Sequence, residues 1–175
     1  MASPLFLLAA LAAAQAPAAE AEPDFRPSAS VDIASAVSDC WRAVGAGGVD
    51  FDRLTANGWS AVVDASGRRL GSPLEVYIKA GANHRIMVPR APEAKSLCAV
   101  IARVSSPSER EPTVGAILQS LRAVDSKVRA EPSDNDVLFL SGSHFALVDE
   151  LDSDHVTKEQ PGLRITVGYK NSEKK

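Results

Sequence analysis

The sequence predicts an α+β fold, an antiparallel β-sheet with two main helices on one face and one disulfide, in the order α-α-(β)-β-β-β-α-β-β-β. Three observations predict it. Apolar residues recur at helical spacing over residues 32–44 and 112–128, whereas residues 74–80 and 163–169 alternate strictly. The strands arrive in runs and do not alternate singly with helices, which disfavours a parallel sheet with crossover helices. The two cysteines, Cys40 and Cys98, fall in the first helix and in a central strand.

The elements follow in order. Ile33, Val37, Cys40, Trp41 and Val44 form one stripe of the first helix, with Ser30 or Asp32 at its start and Gly45 at its end. Gly45-Ala46-Gly47-Gly48 is a link. Residues 50–58 form a short helix capped by Asp50 and stopped by Asn57-Gly58, with Trp59 expected to fold back on Phe51 and Leu54. Residues 60–64 make a short strand before the turn at Ala65-Ser66-Gly67. In the next strand Leu74, Val76, Ile78 and Ala80 alternate with Glu75, Tyr77 and Lys79, the pattern of a half-buried strand with its aliphatic residues inward. A turn at 81–84 leads to a strand with Ile86 and Val88 inward. Residues 97–104 are more continuously apolar and suit a central strand, with Cys98, Val100, Ala102 and Val104 on one face. The second long helix begins at Pro112, a residue suited to a first turn, and carries Val114, Ile117, Leu118, Leu121, Val124 and Val128 as its stripe. Residues 131–135 read as a loop. Residues 137–140 and 144–151 flank a hairpin turn at Ser141-Gly142-Ser143. An acidic and polar loop, 152–160, precedes the last strand, where Leu163, Ile165, Val167 and Tyr169 alternate with Arg164, Thr166 and Gly168. Each half reads as a helical part followed by three strands, and no residue-level repeat aligns them.

The N-terminus predicts export. Residues 5–14 are an uncharged apolar run, long enough for a signal sequence and shorter than the roughly 20 residues of a membrane span. Ala14-Gln15-Ala16, Ala16-Pro17-Ala18 and Ala19-Glu20-Ala21 match the small-residue pattern of a cleavage site. Pro17 would obstruct cutting after Ala16, so cleavage is expected after Ala18, with Ala21 as the alternative. The first basic residue is Arg26, which leaves the α-amino group as the only positive charge ahead of the run. The expected organisation is a signal peptide at 1–18, a flexible leader at 19–30, one domain at 31–170 and a disordered tail at 171–175. The protein is expected to be periplasmic or secreted. No cysteine stands near the cleavage region to carry a lipid, and no stable membrane insertion is expected after cleavage. In an oxidising compartment an isolated cysteine pair is most simply a disulfide, here Cys40–Cys98; two buried thiols are the alternative.

Charge excludes one large class. The net charge is −3, and the only adjacent basic pairs are Arg68-Arg69 and Lys174-Lys175. Nucleic-acid binding calls for a basic face with several phosphate contacts, so no nucleic-acid partner is expected. Catalytic and metal motifs do not assemble along the chain. His84 sits in a turn, His144 opens a strand and His155 lies in the acidic loop; each is expected at the surface, and none has the close partner of a zinc site. Ser141-Gly142-Ser143-His144 lacks the glycine spacing and the strand-to-helix context of a serine-hydrolase elbow. Asp149, Glu150, Asp152 and Asp154 gather carboxylates without the spacing of a calcium loop and read as a solvated strand end. Gly45, Gly47 and Gly48 do not follow a strand, as a phosphate-binding turn would. Trp41 and Trp59 are expected in the core, with Trp59 rimming a pocket beside Tyr77 as the alternative.

No catalytic residue, metal or cofactor is therefore expected. The leading expectation is a non-enzymatic exported protein that binds a protein or an envelope component through its sheet face or the 152–160 loop. The alternatives are a small extracytoplasmic hydrolase with Asp and His groups that converge only in space, and a carrier with a pocket between sheet and helices. A hydrolase requires His144 or His155 on a carboxylate in a concave site, and a carrier requires a sizeable apolar cavity. A partner-binder requires an exposed apolar patch or an open strand edge.

Overall fold

The computed structural model describes residues 26–69, 73–133, 136–151 and 160–170. The signal peptide, most of the leader, most of the acidic loop and the tail expected from the sequence lie outside them. Among the described residues the fold is α+β, with three α-helices and an antiparallel sheet of eight strands.

Helix α1 (Ser30–Ala43) follows the apolar stripe read from the sequence but starts and stops differently. Its cap is Ala29, without a side-chain hydrogen bond. Ser30 turns to the third helix, where its hydroxyl meets Thr113 Oγ1 at 2.7 Å. Thr113 gives its own proton to the Glu109 carbonyl (2.7 Å), so Ser30 is the donor of that pair. The C-terminal end lies at Val44 because the chain passes directly into a small hairpin, β1 (Val44–Gly45) and β2 (Gly48–Val49). Gly48 has φ +120°, and a Cβ there would stand 3.2 Å from the Lys95 carbonyl oxygen, so the glycine is required by both backbone and space. The expected link is thus a hairpin.

Helix α2 (Phe51–Ala56) begins at Asp50, whose carboxylate accepts the Arg53 N–H at 3.1 Å, and Gly58 follows its end with φ +86°. Strands β3 (Trp59–Ala61), β4 (Leu74–Lys79), β5 (Arg85–Pro89) and β6 (Leu97–Arg103) form a first meander. Helix α3 (Arg110–Val124) opens two residues before Pro112 and ends four residues before Val128. Its last carbonyls are capped when the Asp125 N–H donates to Leu121 O (2.8 Å), and the chain then turns so that Val128 is buried from outside the helix. A second meander, β7 (Arg129–Ser133), β8 (Asp136–Ser141), β9 (His144–Leu151) and β10 (Gly162–Tyr169), completes the sheet. Strand β7 replaces much of the loop expected at 131–135. It is an edge strand, the position where a proline such as Pro132 is tolerated.

The sheet order is β3-β4-β5-β6-β10-β9-β8-β7. The two meanders are mirrored about the antiparallel β6–β10 pair, in which Val100 faces Ile165. The helices do not share that relation. Ser30 meets Thr113 and Ser38 meets Ser120 (2.7 Å), so α1 and α3 run side by side in the same direction. A two-fold axis relating the meanders would have made them antiparallel, so the halves are not one repeated unit.

The covered face of the sheet is set by register. Cys98, Val100, Ala102, Leu163, Ile165, Val167, Ile86, Val148 and Phe139 are fully buried beneath the helices. The Cys40–Cys98 disulfide, with Cα atoms 5.7 Å apart, ties α1 to the middle of this face. Strand β4 corrects the sequence reading. Tyr77, at 2% exposure, takes the covered side, while Ile78, at 46%, takes the other. Pairing explains the inversion, because Tyr77 stands opposite Ile86, whose side chain is inward.

Candidate functional site

Among the described residues, three recesses and one open face offer themselves as sites. The first recess, about 170 Å³, lies between α1, the start of β3 and the turn before β5, and is lined by Asp32, Ser35, Asp39, Trp59, Lys79 and His84. Asp39 is buried on α1. Its Oδ2 accepts the Trp59 indole N–H at 2.9 Å, with Lys79 Nζ at 4.0 Å and Arg42 at 3.7 Å supplying positive charge. A buried carboxylate needs such partners. His84 is buried as well, against the expectation of a surface turn residue. It ends the turn at 81–84 and enters β5 on the same side as Ile86 and Val88, so strand alternation carries it inward. Its Nδ1 lies 3.3 Å from Ser28 Oγ and its ring rests against Trp59. Burial, the largest influence, holds the imidazole pKa below its ordinary value; Lys79 lowers it further, against Asp32 and Asp39. Trp59 is a core residue that also lines a recess, beside His84 and not beside Tyr77.

The second recess, about 510 Å³, surrounds the Ser141-Gly142-Ser143 turn, with Lys127, Arg129, His144 and Lys170 in its wall. The turn is the hairpin expected, and Gly142 has φ +57°. His144 is half-buried between rings, stacked 5.2 Å from Trp41 and edge-on to Tyr169 at 5.0 Å. Its Nε2 faces the Val44 carbonyl oxygen at 3.3 Å and must carry a hydrogen to bond it. The Ser141 hydroxyl bonds to Asp125 and, as the largest influence, holds that carboxyl below its usual range; the Lys127 backbone N–H adds to this. The serine and histidine of this motif are thus each turned to another partner. Arg129 pairs with Glu131 at 2.9 Å. Most of the wall surface is apolar, with three cations, Lys127, Arg129 and Lys170, set around it.

The third recess, about 270 Å³, lies beside Gly48, Val49, Phe51, Val88 and Arg90. Phe51 packs on Tyr77, not Trp59, with ring centroids 5.9 Å apart. The Tyr77 hydroxyl donates to Glu75 at 2.8 Å, and Arg69 and Arg90 pair with the same carboxylate. Burial first, and Glu75 second, push the phenol pKa well above its ordinary value. This closed cluster is a structural clasp on the first meander.

The acidic stretch is divided by strand geometry. Asp149 and Glu150 are neighbours on β9 and point to opposite faces. Asp149 accepts Arg164 Nε at 3.1 Å, while Glu150 approaches Arg110 at 3.9 Å. Asp152, Asp154 and His155 lie outside the described residues. Among the described residues no group of three or more His, Cys, Asp or Glu could hold a metal ion.

The fourth feature is the face of the sheet away from the helices. Register places Val76, Met87, Ala99, Thr166, Leu147 and Leu138 in one row across six strands. A second row holds Leu97, Gly168, Phe145 and Leu140, all but the glycine half-buried. Gly168 is buried because the Phe145 ring and Leu97 close over it, in the space a Cβ would need. The sequence reading sets only Val76 of this row inward; it leaves Met87, Ala99 and Thr166 on the far side of their strands and assigns no side to Leu147 or Leu138.

Searches of family models, curated proteins and solved structures find no match to this chain. No described helix is long and apolar enough to cross a membrane.

Proposed function

We propose that this chain is an exported protein of the cell envelope that works by docking a protein partner on the open face of its sheet, without catalysis of its own. The observation that carries the reading is the apolar row from Val76 to Leu138, which lies opposite the helix-covered core. Contiguous apolar surface of this kind marks interaction sites in folded proteins. The disulfide supports export, because such bonds persist in oxidising compartments. The recesses support docking over catalysis: His84 bonds to Ser28 and His144 to a backbone carbonyl, and neither hydrogen-bonds to a described carboxylate.

Site-specific photocrosslinking in the producing cell tests the reading. A crosslinker at Ile78 or Leu147 is expected to give one defined protein adduct. The same group at Val31, which is 70% exposed on α1, is expected to give none. Equal labelling from all three positions, or none from the sheet, would overturn it. Export has its own readout: extracytoplasmic material is expected to begin at Ala19, or at Glu22 if cutting follows Ala21. A chain retaining residues 1–18 inside the cell would contradict it.

A further inference from the structure

We infer that the partner on the open sheet face is a second copy of this chain, an inference that rests on the docking reading above. Two properties of the face favour self-association, its size and its charge pattern.

The apolar row crosses six strands, β4-β5-β6-β10-β9-β8. With strands about 4.8 Å apart and about six residues of 3.4 Å along each, the face measures roughly 29 by 20 Å. Two copies would cover on the order of 1,200 Å², the lower bound of specific, stable protein interfaces. Two such faces can stack about 10 Å apart with interleaved side chains, as the layers of a β-sandwich do.

Charge then favours an identical partner. Register places Arg85, Ile101, Arg164 and Asp149 in a second row across the same face, parallel to the apolar one. Asp136 extends it on β8 and acts on Arg164 electrostatically. The row is basic toward β5 and acidic toward β8. A two-fold axis along the strands, between β6 and β10, lays Arg85 of one copy over Asp149 of the other. A two-fold interface must be self-complementary, and this gradient is. The edges are protected from the competing edge-to-edge pairing. Strand β7 carries Arg129, Glu131 and Pro132, and β3 is only Trp59–Ala61.

Light scattering on the exported protein at micromolar concentration tests the inference. The expected mass is twice that of the single processed chain. Leu147→Asp, at the centre of the face, is expected to return it to the single-chain value. Ser35→Asp, exposed on α1, is expected to leave the dimer intact. Near-ultraviolet circular dichroism shows whether the Leu147 variant keeps its fold. If it does not, Arg164→Glu paired with Asp149→Arg, which preserves the internal ion pair and reverses the gradient locally, must weaken association at least tenfold. A single-chain mass for the unsubstituted protein overturns the inference. With it, a sheet-face crosslink to a different protein leaves the docking reading standing, and no sheet-face crosslink removes both. A crosslink from Ile78 to residues 19–25 of the same chain would also overturn it.

Discussion

His84 is a buried imidazole whose folded pKa lies below its ordinary value, chiefly through burial. The unfolded chain, with a histidine pKa near 6.5, therefore takes up a proton at a higher pH than the folded chain does. The stability that His84 contributes is complete above about pH 6.5 and is lost as pH falls. Chemical denaturation between pH 7.5 and 5 is expected to show stability declining toward acid, and His84→Gln is expected to flatten the decline. An equal slope in the variant would show that the titration belongs to another group. Part of this environment could be read in the sequence. His84, Ile86 and Val88 follow period two, and extending the strand by one residue places the ring inward. The partnership of Asp39 with Trp59 could not be read. It joins groups on α1 and β3 that only packing brings together, and an acid beside Cys40 on a helical stripe carries no local sign of burial.

At the level of elements, periodicity succeeded where the more apolar side is the covered one and failed where it is the open one. Helix α1 and strand β10 were recognised because their polar and apolar sides differ in the chain, and β6 because it is apolar on both sides. Strand β4 was placed with the wrong side inward because Leu74, Val76 and Ile78 are as apolar as an inner face needs to be. Its true orientation depends on the Tyr77–Ile86 pairing and on the Tyr77–Glu75 hydrogen bond, both tertiary facts. Strand β7 was hidden by Glu131-Pro132-Ser133, turn residues that an edge position tolerates. The most constrained position within a strand is Gly168 of β10. A methyl group there meets the Phe145 ring and Leu97 across two neighbouring strands, so Gly168→Ala forces both to move. Overpacking of this kind costs about 1–3 kcal/mol. Urea denaturation is expected to show that loss, and Gly168→Ala combined with Phe145→Leu to recover part of it. A Gly168→Ala chain as stable as the parent would mean that the face is more loosely packed than its geometry indicates.

For the whole molecule, the disulfide is the one covalent link between the helical layer and the sheet among the described residues. The cysteine arithmetic foresaw the pair, and the amphipathic stripe foresaw that α1 would present Cys40 inward. The mirrored order of the two meanders was beyond it, because the β6–β10 pairing joins strands separated by all of α3, β7, β8 and β9. The bond spans 58 positions, so breaking it frees a long loop in the unfolded chain. Loop-closure entropy values that at about 4 kcal/mol, a large share of the stability of an ordinary domain. Both cysteines have zero exposure, so a reductant reaches the sulfurs only when the structure opens. Native protein in millimolar dithiothreitol is therefore expected to resist alkylation, and to take two alkyl groups once urea is added. The doubly alkylated chain is expected to remain unfolded when the urea is removed, because the two added groups must also fit a closed core. A Cys40→Ala, Cys98→Ala chain, free of that crowding, is expected to fold with its free energy of unfolding lowered by about the loop-closure value plus the loss of two small buried sulfurs, and its urea midpoint lowered in proportion. An unchanged midpoint would show that packing of α1 against β6 alone holds the layers together.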